Sequence, residues 1–226
     1  MENIWLVDTN APKEKNSAMW LRHLQRSKKF SELKKKVLKC AEIETMKNYA
    51  LLEQPNVYTV FPVNEEFETF YEKVEQEYLA FMKPIKRLGQ SLNGPAKDNE
   101  RTLKNILERM EDIKKQMENS VYDFSQHQTY NFFYELVRRD IVRKHNRGQY
   151  SEADRLLVAG PLTRAAEGLE THVLTPDRGI RKITEEALQQ IESNNPHQFY
   201  NPKKLIEKIK LFNTYSGEIK EEQLCA

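Results

Sequence analysis

Two cysteines and five histidines are the side chains best suited to metal binding or nucleophilic catalysis. The cysteines are Cys40 and Cys225, and the histidines are His23, His127, His145, His172 and His197. Two four-coordinate zinc sites need more ligands than these seven side chains supply, and none of them forms a Cys-x-x-Cys or His-x-x-x-His pair. Cys40 lies in an apolar helical stripe, where a small core residue is the commoner role. We therefore expect no metal site, no cofactor and no covalent catalytic nucleophile.

Charged side chains are abundant but nearly balanced. The chain has 36 Lys and Arg against 34 Asp and Glu, a net charge of +2, so nucleic acid is not an expected partner. No apolar run is long enough for a transmembrane segment. The first ten residues lack the basic start and apolar core of a secretory signal, and two cysteines do not form a disulfide framework. These features predict a cytoplasmic protein.

Three stretches of helical apolar spacing precede residue 125. They cover residues 17–54, 64–88 and 98–117, with Asn64 as an N-cap and Pro55 as a break. Long amphipathic helices with short connections predict an antiparallel helical bundle or coiled-coil hairpin over residues 1–125.

The charge pattern supports pairing of the first two helices. Residues 13–39 hold ten Lys or Arg and two Glu, a net charge of +8, whereas residues 65–78 hold six Glu and one Lys, a net charge of −5. Packed side by side, these helices would neutralise each other. The alternative is that the Lys28–Lys39 run binds nucleic acid or anionic lipid, but a paired or solvated helix face is the commoner outcome.

Segments become shorter and turn signals more frequent after about residue 125. Ser151 and Asp154 have the spacing of a capping box and open a short helix, which Gly160 is expected to end. Residues 161–164 would then form a rigid turn that presents an arginine. A final amphipathic helix contains Ile180 and Ile183. These features predict a second, more irregular module over residues 126–195.

The order of motifs in this module resembles the U-box, the metal-free relative of the RING domain in E3 ubiquitin ligases. The matching pieces are Glu135-Leu136-Val137, Asp140-Ile141-Val142, Gly148 with Tyr150, Pro161-Leu162-Thr163-Arg164, and Leu174-Thr175-Pro176-Asp177 followed by Ile180 and Ile183. The resemblance covers less than a third of the chain. Ile141 replaces the usual proline, the Gly148–Tyr150 spacing is one residue short, and the first helix is shorter than usual. Residues 147–153 also resemble the turn of a tetratricopeptide hairpin.

The U-box resemblance implies a small α+β fold that binds a ubiquitin-charged E2 enzyme and positions its thioester for transfer to lysine. It implies E2 contacts from Phe132, Phe133, Pro161 and Leu162, and an arginine, Arg164, that bridges E2 and ubiquitin. Structural positions of the module would be Gly148, Tyr150, Pro176, Asp177, Ile180 and Ile183. The N-terminal helices would recruit an unknown substrate or dimerise the ligase.

Residues 196–226 are expected to form a C-terminal helix and an acidic tail. Asn201 and Pro202 have the types preferred at a helix start, and Leu205, Ile206, Ile209 and Phe212 would line one face. The glutamates before Leu224 resemble the C-terminal signals of bacterial type IV secretion effectors, such as those of Legionella, which implies action in host cytosol.

The sequence as a whole predicts a mainly α protein with an N-terminal bundle, a U-box-like module and a C-terminal helix. Its predicted function is E3 ubiquitin ligase. The alternatives are a non-enzymatic helical adaptor that binds host proteins, or a basic-patch binder of lipid or nucleic acid.

Overall fold

The structure divides the chain into two compact units. It is a computed structural model that describes residues 3–8, 21–87, 94–141, 150–175, 177–193, 200–213 and 220–224. The sheet unit comprises Met1–Ala11, Pro55–Val63 and Ser120–Ala226, and the helical unit comprises Pro12–Gln54 and Asn64–Asn119. This division differs from the predicted boundary at residue 125, because the helical unit is inserted into the sheet unit in two segments.

The sheet unit is built on five strands in the order β2-β1-β3-β4-β5. The strands are β1 (Ile4–Val7), β2 (Val57–Tyr58), β3 (Thr171–Leu174), β4 (Ile209–Asn213) and β5 (Lys220–Glu222). The first four in this order are parallel, and β5 is antiparallel to β4. The protein is therefore mainly helical, as predicted, but it also has a mixed sheet whose first strand comes from the N-terminal residues.

One face of this sheet is an aliphatic layer. Leu6 lies opposite Val173 in the register of β1 and β3, and Val173 lies opposite Leu211 of β4. All three side chains are buried. On the other face, the ring of Trp5 packs 4.5 Å from that of His172 and 4.8 Å from that of Phe212. Because β1 is covered on both faces of the sheet, its sequence is apolar at every position and does not alternate between apolar and polar residues.

Four helices pack in the sheet unit. They are α5 (Tyr130–Glu135), which continues as a π-helical turn (Leu136–Ile141), α6 (Glu152–Ala166), α7 (Arg178–Ser193) and α8 (Pro202–Ile206). The predicted capping box is confirmed, since Ser151 Oγ accepts from the Asp154 amide and Asp154 Oδ2 accepts from the Ser151 amide. Ile180 and Ile183 are fully buried on α7, as its spacing predicts.

The C-terminal region differs from the predicted long helix. Asn201 does cap α8, where its side chain accepts from the Lys203 amide at 3.0 Å. The helix ends at Ile206, and Ile209 and Phe212 belong to β4 instead. Part of the acidic tail, Lys220–Glu222, forms β5 against β4. An apolar i, i+3 spacing near a chain end therefore did not distinguish a helix from a turn followed by a strand.

The helical unit consists of α1, described over residues 21–26, a 3-10 turn, and three longer helices. These are the 3-10 turn Phe30–Glu32, α2 (Lys35–Leu52), α3 (Phe61–Arg87) and α4 (Pro95–Asn119). Their apolar stripes meet in one core, with Leu38, Val74 and Leu103 among the buried residues. The third helix begins at Phe61 within the sheet unit, three residues before the predicted Asn64 cap. None of the described helices is both long and apolar enough to cross a membrane.

A single amide fixes the 3-10 turn to α4. The Asn99 side chain is 5% exposed and donates from Nδ2 to the carbonyl oxygens of Phe30 at 2.9 Å and Leu33 at 2.8 Å. The Phe30 carbonyl also accepts the 3-10 hydrogen bond from the Leu33 amide at 3.2 Å. The buried amide therefore adds a side-chain donor to backbone carbonyls at both ends of the turn.

Candidate functional site

The predicted arginine turn is not a turn. Pro161, Leu162 and Arg164 lie inside α6, which continues past Gly160 to Ala166. The glycine is required there for a different reason: a Cβ at Gly160 would lie 2.4 Å from the Phe124 ring. The expectation that Gly160 ends the helix was therefore wrong. The chain turns at Gly168 instead, which has a φ of +79° and follows the helix end.

The residues assigned to E2 binding in α6 are buried. Pro161 and Leu162 are buried, and Arg164 is 5% exposed. The guanidinium donates from Nε to Thr171 Oγ1 at 3.0 Å and from Nη1 to the Tyr122 hydroxyl at 2.7 Å. These bonds hold the end of α6 to the start of β3. Pro161 and Arg164 are therefore not exposed on a loop, as the U-box resemblance requires. Arg164 instead has a structural role, since its buried guanidinium hydrogen-bonds to Thr171 and Tyr122.

The two phenylalanines assigned to the first U-box loop lie on helix α5. Phe133 is fully buried, and Phe132 is 51% exposed. Both rings pack near Tyr200, at centroid distances of 5.1 Å and 5.5 Å. No loop presents them, because α5 begins at Tyr130. Two further predicted positions, Gly148 and Pro176, lie outside the described residues.

A different location has the topology of a ligand site. Along the chain, β1 is followed by β2 on one side of it and then by β3 on its other side, so the strand order reverses between β1 and β3. In open parallel sheets, ligands bind outside the carboxyl ends of the strands at such a reversal. Asp8 directly follows β1, and Thr175 directly follows β3.

Asp8 and Thr175 are joined by hydrogen bonds at this edge. The Asp8 side chain is 1% exposed, and its Oδ2 accepts from Thr175 Oγ1 at 2.7 Å. Its amide donates to the Leu174 carbonyl at 3.0 Å, which extends the β1–β3 pairing by one residue. Thr175 Oγ1 in turn accepts from the Asp177 amide at 2.9 Å. The threonine therefore fixes the orientation of the buried carboxylate and the start of the following turn.

Two helix N-termini lie at the same edge. α6 leads through a short loop into β3, so its N-terminus lies beside the carboxyl end of that strand, and α7 begins just after it. Asp154 is buried in the first turn of α6. Asp177 is exposed before α7, where its Oδ1 accepts from the Gly179 amide at 2.7 Å. Each helix start thus carries a carboxylate that accepts from a backbone amide.

Tyr150 connects the two helix starts. Burial raises the pKa of its hydroxyl, and the negative charges of Glu186, Asp177 and Asp154 raise that pKa further. A Cβ at Gly179 would lie 3.0 Å from the Tyr150 ring and 3.0 Å from Asp177 Oδ1. The carboxylates of α6 and α7 therefore share one electronegative neighbourhood around this ring.

This arrangement suits a hydrated divalent cation that is completed by a ligand. In the described ranges, no group of three or more His, Cys, Asp or Glu side chains could hold a metal ion by itself. Mg²⁺ does not need such a cage, because it usually keeps several waters and binds one or two carboxylates together with substrate phosphate oxygens. Asp8 is connected to Asp177 through Thr175 Oγ1, which donates to the Asp8 carboxylate and accepts from the Asp177 amide.

Sequence reasoning missed Asp8 and assigned Thr175 and Asp177 to a structural turn. For Asp8 the available signal is the four-residue apolar run Ile4–Val7 that it follows. The residues before Thr175, Thr171–Leu174, include a threonine and a histidine and give no comparable signal.

Searches for similarity found no match to this chain among protein-family models, curated proteins or solved structures.

Proposed function

We propose that the sheet unit is a divalent-cation-dependent hydrolase of phosphodiesters, with its site at the carboxyl ends of β1 and β3. The observation that carries this proposal is the Asp8 carboxylate, 1% exposed and oriented by Thr175 at the strand-order reversal. A buried carboxylate is costly unless hydrogen bonds or a cation compensate for its lost hydration. Its position at the usual ligand-binding edge favours a cation as part of that compensation.

The chain's residues have separate roles in the proposed reaction. Asp8 would hold the cation, Asp177 or Asp154 would supply the second carboxylate, and Thr175 holds Asp8 in position. A bound cation would neutralise phosphate charge and favour deprotonation of a water. In the hydrolysis, the attacking water would lose one proton to solvent as its oxygen bonds to phosphorus, and the leaving alcohol oxygen would take up one proton from solvent as its bond to phosphorus breaks.

The ligase function stays a prediction, but the geometry does not support it as well. Its E2 surface depends on Pro161, Leu162 and Arg164, which are buried in α6. Cytoplasmic location, or host cytosol for a secreted effector, is a prediction of the same kind. A hydrolase of intracellular phosphodiesters is compatible with either location.

The test is hydrolysis of a single-stranded RNA that carries a fluorophore and a quencher, with Mg²⁺ or Mn²⁺ and with EDTA. We expect metal-dependent cleavage that Asp8→Asn lowers about a hundredfold or more, since loss of only an outer-shell partner costs about 10- to 100-fold. Thr175→Val should lower it within that smaller range. Calorimetric titration with Mn²⁺ provides a readout that is independent of turnover.

The matched control is Asp123→Asn, which neutralises an exposed aspartate of the same unit. It should keep wild-type cleavage and Mn²⁺ binding. Far-UV circular dichroism should show that all three variants are folded. Cleavage that persists in EDTA, or that survives in folded Asp8→Asn, would contradict the proposed site.

A further inference from the structure

We propose that residues 21–39 of the helical unit form a cationic surface that binds the phosphate backbone of nucleic acid. The inference rests on the proposed function and narrows its phosphodiester substrates to nucleic acid. Six lysines of this cationic surface are exposed: Lys28, Lys29, Lys34, Lys35, Lys36 and Lys39. Arg22 and Arg26 of α1 are exposed as well.

Acidic residues within residues 21–39 neutralise little of the positive charge of this surface. Eight cations and one carboxylate between residues 21 and 39 give a net charge of +7. The carboxylate, on Glu32, accepts from the backbone amide of Lys28 at 2.6 Å. Among the residues that the structure describes, the ion pair found for these six lysines joins Lys39 to Glu42 at 2.9 Å. The balanced charge of the whole chain therefore conceals a strongly basic segment.

The acidic segment of α3 contacts both the basic segment and α4. Its Glu77 accepts a hydrogen bond from Gln25 of the basic segment at 2.7 Å, and its Glu68 pairs with Lys114 of α4 at 2.6 Å. The acidic segment therefore places at least one negative charge beside the basic segment, and this charge is small against the net +7 of residues 21–39.

The position of the lysines also argues for a ligand. Lys34 is the N-cap of α2, Lys35 and Lys36 follow in its first turn, and this end has no acidic residue and no side-chain cap. Positive charge at a helix N-terminus opposes the helix dipole. Local stability therefore does not explain these lysines, whereas a bound polyanion would reverse the unfavourable interaction.

Nucleic acid fits this surface better than a membrane does. The apolar residues between the cations, including Leu24, Phe30 and Leu33, are buried. In the described ranges, the large apolar side chains that are exposed lie elsewhere, at Ile43, Met46, Phe61, Leu79 and Phe132. Membrane-surface helices need an exposed apolar face beside their basic one. Flexible lysines bind phosphates as point charges and do not read bases, so binding should be independent of sequence.

The test measures binding of the full chain to a fluorescent oligouridylate of about 20 nucleotides in EDTA, at several salt concentrations. One variant removes four charges of the surface: Lys28→Gln, Lys29→Gln, Lys35→Gln and Lys36→Gln. Its control removes four exposed charges elsewhere in the unit: Lys47→Gln, Lys97→Gln, Lys104→Gln and Lys115→Gln. At low salt the first should lose at least about tenfold in affinity, and its salt slope should fall by about 3, or roughly 0.7 for each phosphate contact. The control should bind within about twofold of wild type.

A charge reversal separates binding from folding. Lys35→Glu should raise the thermal stability of the protein, because it places an acid in the first turn of α2, and should weaken oligouridylate binding. A variant that fails to fold cannot give this pair of results. Equal binding by the four-lysine variant and its control would overturn the proposal, as would binding that does not depend on salt.

Two further arms identify the ligand and separate the two proposals. Binding to vesicles of phosphatidylserine and phosphatidylcholine, without binding to the oligouridylate, would assign the surface to lipid and overturn the proposal. Asp8→Asn should bind the oligouridylate as wild type does while losing cleavage. Salt-dependent binding without cleavage by the wild type would support the cationic surface and refute the hydrolase.

Discussion

The two units place their polar groups in opposite ways. Buried polar side chains of the described residues belong to the sheet unit, with the exception of Asn99. The sheet unit contains Asp8, Thr59, Asp154, Thr163, Arg164, Thr171, Thr175 and Thr184 in this class. The helical unit instead has an almost wholly apolar core and an exposed basic segment. The sheet unit therefore holds its polar groups in fixed geometry, whereas the helical unit carries its positive charges at exposed positions.

This contrast has an energetic basis. A buried polar group contributes only when each of its partners is in place, and it costs stability when one is removed. An exposed lysine can be exchanged with little effect on folding. Substitutions in the buried polar set should therefore lower stability, whereas substitutions on the cationic surface should change binding.

The largest expected effect is at Arg164. The ligase prediction requires this side chain to be exposed, whereas the structure shows it buried. Arg164→Ala leaves Thr171 Oγ1 and the Tyr122 hydroxyl without their buried donor. We expect a loss of about 3 kcal/mol, since hydrogen bonds to charged groups contribute about 1.5–3 kcal/mol each. Urea unfolding followed by Trp5 fluorescence in a Trp20→Phe background reports this for the sheet unit, because the Trp5 ring packs on β3 and β4.

Arg138→Ala is the matched control for this substitution. Arg138 is exposed and pairs with Glu135 of the same helical run at 3.3 Å. Its loss should cost less than about 0.5 kcal/mol. If Arg164→Ala were as stable as Arg138→Ala, the structural role of the buried Arg164 hydrogen bonds would be refuted. If it also abolished E2-dependent ubiquitin transfer, the ligase prediction would gain support.

A smaller effect is expected at Asn99, the buried polar side chain of the helical unit. Asn99→Ala removes the donor of two backbone carbonyls, those of Phe30 and Leu33. We expect a loss of about 2 kcal/mol, and faster amide hydrogen exchange in the 3-10 turn that the amide fixes. Asn105→Ala is the control, because Asn105 donates to Glu42 at an exposed position of the same helix. Equal losses in the two variants would contradict the structural role of Asn99.

The sequence predicted helices far better than it predicted the sheet, for a physical reason. The stripes of α2, α3 and α4 extend over several turns, so their period identifies both the helix and its buried face. The strands are only two to five residues long and are buried on both sides where they carry the core. Such short apolar runs have no alternation, and parallel pairing joins residues as distant as Leu6 and Val173.

The candidate site was unpredictable for a related reason. Asp8, Thr175 and Asp177 are ordinary polar residues that follow short strands, and only the strand order brings Asp8 Oδ2 to 2.7 Å from Thr175 Oγ1. Local sequence signals did succeed where the stabilising hydrogen bonds join residues close in sequence, as in the Ser151–Asp154 capping box and the Asn201 cap. They failed at Gly160, because the reason for that glycine is the Phe124 ring, 36 residues away in sequence.

The smallest expected effect is a pH dependence in the helical unit that comes from His23. Its Nε2 accepts from the backbone amide of Lys34 at 2.6 Å, so this nitrogen is unprotonated in the folded protein. Burial lowers the pKa of His23 below its ordinary value, and the charge of Lys34 lowers it further. Below about pH 6.5 the unfolded chain therefore binds a proton that the folded chain does not, and stability falls as the pH falls toward the folded-state pKa.

Thermal unfolding at about pH 7.5 and about pH 5.5 measures this effect as a difference between wild type and His23→Gln. Wild type should lose more stability on acidification than the variant, because glutamine can accept the Lys34 amide without titrating. Other groups that titrate in this interval contribute equally to both proteins and cancel in the comparison. The difference should be smaller than the loss caused by Asn99→Ala, since His23 is only partly buried. An equal pH response in the two proteins would show that titration of His23 does not contribute to the pH dependence of the helical unit's stability.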